Sequence, residues 1–168
     1  MKKSPFVILL VPLVFAISLI GCGGGGGGGS SPPPPATPTK AVVKLSTVGS
    51  PSATPLIGVQ AILHLPPGVT VKAGLNAPQT DTGVIVASGS AVPEDIVFGV
   101  YSAGSGTVSV YVAKTAGFAP GEFAIANCDI AAGTSPTASA FSISDLLVSD
   151  GSGNLITGLA PSLVVIFQ

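Results

Sequence analysis

The chain has 168 residues, 46% of them apolar, 8% charged and 5% aromatic, with no tryptophan and no arginine. Six lysines stand against seven carboxylates, a formal charge of −1, and no basic cluster is present to neutralise a run of phosphates, which excludes a nucleic-acid binder. Surfaces with so little charge must be built from Ser, Thr, Gly and amides, a balance that suits an exported β-protein better than a cytosolic helical one.

The N-terminus opens on Met1-Lys2-Lys3, continues through an apolar segment from Phe6 to Ile20, and closes on small residues. That order is the layout of a secretory signal peptide. A membrane-spanning helix is disfavoured: fifteen residues reach only about 22 Å against a hydrocarbon core of about 30 Å, and Pro12 interrupts the run. Leu19-Ile20-Gly21-Cys22 resembles the lipobox of bacterial lipoproteins. The resemblance implies cleavage between Gly21 and Cys22, a lipid on the Cys22 thiol, and a protein exported and anchored in the cell envelope, at the outer membrane or cell surface. The membrane is then its first partner, through Cys22. With the signal (1–21) removed, four lysines remain against the seven carboxylates.

Residues 22–40 form a linker. Gly23 to Gly29 match a phosphate-binding loop only trivially, because the preceding strand, the following helix and the lysine are missing. The Gly/Ser portion averages roughly 17 Å as a coil, and the Pro-rich portion, Pro32 to Pro38, extends about 22 Å as polyproline II. This is a tether.

From residue 41 to 168 the chain reads as one β-domain. Runs rich in Val, Ile, Phe and Tyr alternate with Gly, Pro, Asn and Asp clusters, and strands are predicted near 40–48, 56–65, 69–72, 83–88, 95–102, 107–114, 121–130, 138–149 and 162–167. Ile57, Val59, Ala61, Leu63 and Leu65 alternate and should share a buried face, with Gln60 and His64 on the other side. Ala103-Gly104-Ser105-Gly106 reads as a hairpin turn, and Asp150-Gly151-Ser152-Gly153-Asn154 as a second turn. Nine short strands without helices argue for an all-β fold, a β-sandwich.

The second half carries a finer pattern. Gly117-Phe118-Ala119-Pro120-Gly121-Glu122-Phe123-Ala124 leads into a strand; then come Ala132-Gly133-Thr134-Ser135-Pro136, a strand through Phe141-Ser142-Ile143-Ser144, and the turn at Asp150 to Asn154 before a closing strand. This order resembles the C-terminal half of cohesin domains and their relatives among carbohydrate-binding modules, and Gly58 to Val71 is similar to the family's second strand. Where the family has Tyr-Asp-Pro, this chain has Leu65-Pro66-Pro67-Gly68. The resemblance implies a single jelly-roll sandwich of about nine strands whose first and last strands lie side by side. It also implies a role in recognition, with a protein partner of the dockerin type or, as the alternative, a polysaccharide.

Candidate chemistry is sparse. His64 is the single histidine and no Gly-x-Ser-x-Gly turn occurs, so an enzyme is not expected. One histidine and a lone thiol do not make a zinc site. Asp150, Ser152 and Asn154 have the alternate spacing of a calcium loop, but Leu155 stands where such a loop has Gly and Pro161 where it has Glu, so the turn reading outweighs the metal. No cofactor is expected. Cys128 alternates with Ala124, Ala126 and Ile130 and reads as a small buried hydrophobe, left unpaired once Cys22 is lipidated. The phenylalanines beyond the signal read as core. That leaves Tyr101 and Tyr111 as the aromatic faces available to a sugar; with Tyr101 opposite Val108, the two should point to opposite faces of their hairpin.

Overall fold

The computed structural model describes residues 37–168. The signal segment, Cys22 and the linker up to residue 36 lie outside the described residues. The described residues form nine strands: β1 (Lys40–Gly49), β2 (Leu56–His64), β3 (Val69–Thr70), β4 (Ile85–Ala87), β5 (Ile96–Ser102), β6 (Thr107–Phe118), β7 (Glu122–Ile130), β8 (Ser142–Ser149) and β9 (Leu159–Phe167). They pair antiparallel into two sheets. One has the order β3-β7-β1-β9, with β4 also on β7; the other is β5-β6-β2-β8. The chain changes sheet at most of its connections, as a jelly roll requires, and the first and last strands are neighbours from Ala41↔Phe167 to Gly49↔Leu159.

The alternation of side chains explains why the two sheets stack. Inward positions of β1 (Ala41, Val43, Leu45), β2 (Val59, Ala61, Leu63), β6 (Val108, Val110, Val112) and β7 (Ala124, Ala126, Cys128) are all buried, with Phe123 wholly enclosed between the sheets. Burial of the Val, Leu and Phe side chains among them stabilises by roughly 1.5–3 kcal/mol each, the alanines by less, and it holds the layers together.

Four differences from the predicted elements have identifiable physical causes. In β2 the buried residue at the start is Leu56, not Ile57, because the pairing with β6 slips between Leu56 and Gly58. The bulge turns Ile57 out of the alternation. Strand β6 runs on to Phe118 rather than 114 because its extension is clamped: the Lys114 ammonium donates to the carbonyls of Ser90 and Val92, and the Thr115 N–H donates to the Asp95 carboxylate. Residues Ala138–Ala140 form a 3₁₀ turn after Pro136, so β8 starts at Ser142. Strand β9 starts before Pro161, not after it. Lys40 and Gln168 exchange both backbone hydrogen bonds, so even-numbered residues of β9 face β1 and Pro161 faces away, where its missing N–H breaks no bond of the ladder.

One glycine is fixed by packing. Gly99 is buried opposite Val110, and a Cβ there would lie 2.6 Å from the Ile85 side chain and 3.0 Å from the Thr80 hydroxyl. Its absence lets the 80–85 segment close over that end of the core.

Candidate recognition surface

The outer face of the four-stranded sheet exposes Ile96 and Leu147, with Leu155 beside them. Register fixes which residues share it. Ile96, Phe98 and Val100 of β5 lie on the face opposite Val97, Gly99 and Tyr101, and their partners on β6 are Ala113, Tyr111 and Ser109. On β2 the same face carries Gly58, Gln60, Ile62 and His64; on β8 it carries Ser149, Leu147, Ser144 and Ser142.

At one end these residues frame a groove of about 370 Å³. Its walls include Ile96, Phe98, Tyr111, Leu147 and Leu155, and Gly58 lies between them. Ile96 is 52% exposed, Leu147 47% and Leu155 65%. Leu155 reaches the groove because the turn after β8 folds back, bridging Ser149 to Leu155. A side chain at Gly58 would begin 2.9 Å from the Ser149 hydroxyl, so glycine keeps the groove floor open. Phe98 and Tyr111 stack at 4.7 Å between ring centroids with 15° between planes.

The expectation that the phenylalanines are core holds for Phe118, Phe123 and Phe141, and fails for Phe98. Strand β5 is apolar on both faces, so its composition conceals which ring points out; the register to β6 decides it. The two tyrosines do point to opposite faces. Tyr101 pairs with Val108 and packs against the core, while Tyr111 pairs with Phe98 outside.

The far end of the same face is polar. His64 Nε2 lies 2.8 Å from Ser144 Oγ, and that hydroxyl donates to Asp145 Oδ2 at 2.8 Å. Asp145 sits in a bulge of β8 at φ 50°, the single non-glycine residue with positive φ among the described residues. The order matters chemically. The serine proton is directed to the carboxylate, so the imidazole donates to the hydroxyl. A serine nucleophile needs the reverse, an imidazole that accepts its proton. The linear sequence gave no signal for this contact, because His64 and Ser144 meet only through the pairing of β2 with β8.

The other sequence candidates are placed elsewhere. Asp150, Ser152 and Asn154 form the turn after β8. The Asp150 carboxylate accepts hydrogen bonds from the backbone N–H of Ser152 and of Asn154 and from the Asn154 side-chain amide. Those bonds, the Asn154 backbone first, hold its carboxyl below the usual range. Both Asp150 carboxylate oxygens thus already serve as acceptors within the turn. Among the described residues no group of three or more His, Cys, Asp or Glu side chains converges on one point. Cys128 is a buried free thiol on the inner face of β7, and burial, helped by Asp129, pushes its pKa up to about 12. Cys22 lies outside the described residues.

No protein-family model, no curated protein and no solved structure matches this chain.

Proposed function

We propose that this protein is a membrane-anchored, non-catalytic recognition module that binds a protein partner on the outer face of the β5-β6-β2-β8 sheet. The observation that carries this reading is the groove between Ile96, Phe98, Tyr111, Leu147 and Leu155, where large apolar side chains cluster on a face that also carries Gln60, Ser109, Ser144 and Ser149. Central apolar and aromatic anchors surrounded by small polar groups are the composition of protein-binding hot spots. The cohesin-like order of strands and turns in the second half makes a dockerin-like module the candidate partner. The lipobox at Leu19 to Cys22 supplies the anchor, an exported envelope location and, with the linker, the reach.

Polysaccharide recognition is the second reading, favoured by the outward Phe98–Tyr111 pair. Those rings cover one face of each other, and Tyr101 faces the core, so a flat row of stacking platforms is missing. The order of the His64, Ser144 and Asp145 contacts, with the hydroxyl proton directed to the carboxylate, supports the non-catalytic reading.

The test is capture from envelope extract by wild-type domain 37–168 and by its Leu147→Asp and Leu155→Asp variants. The nine strands and the buried core of the described residues pair and pack with one another within 37–168, so this segment carries its own fold. A partner retained by wild type and lost in both variants supports the reading; a partner retained equally by all three refutes it.

A further inference from the structure

We infer that the free edge of β9 is a self-association surface, and that its occupant is β9 of a second copy, paired antiparallel about Val165.

The inference starts from how the other sheet edges are closed. Strand β5 is covered by residues 78–80: the Thr80 N–H donates to Gly99 and the Tyr101 N–H to Pro78. Strand β8 is broken by its bulge at Asp145 and closed beyond it by the Ile156 N–H on the Val148 carbonyl. Strands β3 and β4 are only two and three residues long. Bulges, charges, short strands and covering loops are the devices that keep sheet edges from pairing with other chains. Strand β9 has neither bulge nor charge between Ser162 and Phe167, and the 138–140 turn that packs near it, with Phe141 against Phe167, gives it no backbone hydrogen bond. It is unbulged against β1, it carries no charged residue from Leu159 to Gln168, and no loop hydrogen bond among the described residues reaches it.

The hydrogen-bond parity then selects the pairing. Even-numbered residues are committed to β1, so Leu163, Val165 and Phe167 direct their N–H and C=O groups outward. Pro161 faces outward too and has no N–H to give, which limits the usable ladder to the residues after it. A two-fold axis at Val165 pairs Val165 with its copy and Leu163 with the copy's Phe167. Three hydrogen-bonded pairs of this kind exchange about six bonds.

The side chains suit this register on both faces. Outside, Val164 (57% exposed) meets Ile166 (42% exposed) of the copy, so two apolar groups leave solvent together. Inside, Leu163, Val165 and Phe167 point to the core yet stay half-buried, unlike the fully buried inward residues of β1 next to them. A neighbouring strand would close that gap. The nearest charges do not oppose it. Lys40 is paired with Asp129 at 2.9 Å and Lys44 with Glu122 at 3.2 Å.

Sedimentation equilibrium and amide hydrogen exchange on domain 37–168 test this, together with Val164→Glu. Val164 is outward and opposite Lys44, so a carboxylate there has a cation beside it in the single chain but meets Ile166 in the pair. Expected are a concentration-dependent dimer for wild type, a dissociation constant at least tenfold weaker for Val164→Glu, and exchange at the Leu163, Val165 and Phe167 amides that slows as wild-type concentration rises. A wild type that stays monomeric at millimolar concentration, a dimer unaffected by Val164→Glu, or slowing confined to other strands overturns it. The exchange measurement needs only the wild type, so it decides the question even if the variant misfolds.

Discussion

Phe98 and Tyr111 face each other across β5 and β6 on the outside of the sandwich, their rings 4.7 Å apart and 15° from parallel. Aromatic pairs of this geometry contribute about 0.5–1.5 kcal/mol beyond the area they bury. Tyr111→Ala should therefore lower the melting temperature of domain 37–168 modestly, and Phe98→Ala by a similar amount. Because the rings shield one another and Tyr101 lies inside, neither wild type nor variant should be retained on insoluble cellulose, chitin or xylan. Retention that drops in Tyr111→Ala would favour a carbohydrate-binding module instead.

Cys128 should ignore thiol reagents in the native state at neutral pH, because its side chain is enclosed on β7 and its pKa stands near 12. The pKa is raised relative to the unfolded chain, so the thiol's contribution is fully present below the ordinary thiol pKa. It fades as pH rises from that value through about 12. Wild type should lose stability across that alkaline window by more than Cys128→Ala does. Cys128→Asp should cost on the order of 3 kcal/mol or more, since it buries a carboxylate with no partner. Urea denaturation read by circular dichroism checks both, and rapid labelling of native Cys128 would refute the placement.

Acid should weaken the turn at Asp150. Its carboxyl is held low by the Asn154 backbone and side chain and the Ser152 N–H, and Asp95 and Asp81 are held low by Thr115 and Lys72. A depressed folded pKa adds stability above the ordinary carboxylate value and loses it as pH falls through the lower one. Asp150→Ala should thus melt below wild type at neutral pH, and the gap should close as pH falls through the lowered carboxyl pKa. A gap that persists unchanged in acid contradicts the role given to the carboxylate.

What the sequence disclosed and what it hid follow from the range of the interactions. Alternation in Val59, Ala61 and Leu63, or in Val108, Val110 and Val112, is local and shows in the chain directly, as do the Gly-rich hairpin after Ser102 and the turn at Asp150. The clamp that lengthens β6 is not local, since it joins Lys114 to Ser90 and Thr115 to Asp95. The groove was hidden for the same reason. Ile96, Phe98, Leu147 and Leu155 come from distant segments, and their exposure is decided by register rather than by residue type.

The anchor has its own test. Cys22→Ser should abolish incorporation of a fatty-acid analogue in metabolic labelling and leave the precursor uncleaved at Gly21. Several acyl chains hold a protein far more firmly than one, so the wild type should stay with the membrane fraction through washing. Label retained on the variant refutes the lipobox assignment.

The recognition claim is tested most directly by site-specific photo-crosslinking in the exporting cell, with the crosslinking residue placed at Leu147 or Leu155 in the groove and at Val48 on the opposite sheet as control. All three side chains are exposed, so the probe itself should not disturb the fold. The account predicts one discrete protein adduct from Leu147 and Leu155 and none of that mass from Val48. No adduct from either groove position, or the same adduct from Val48, would contradict it.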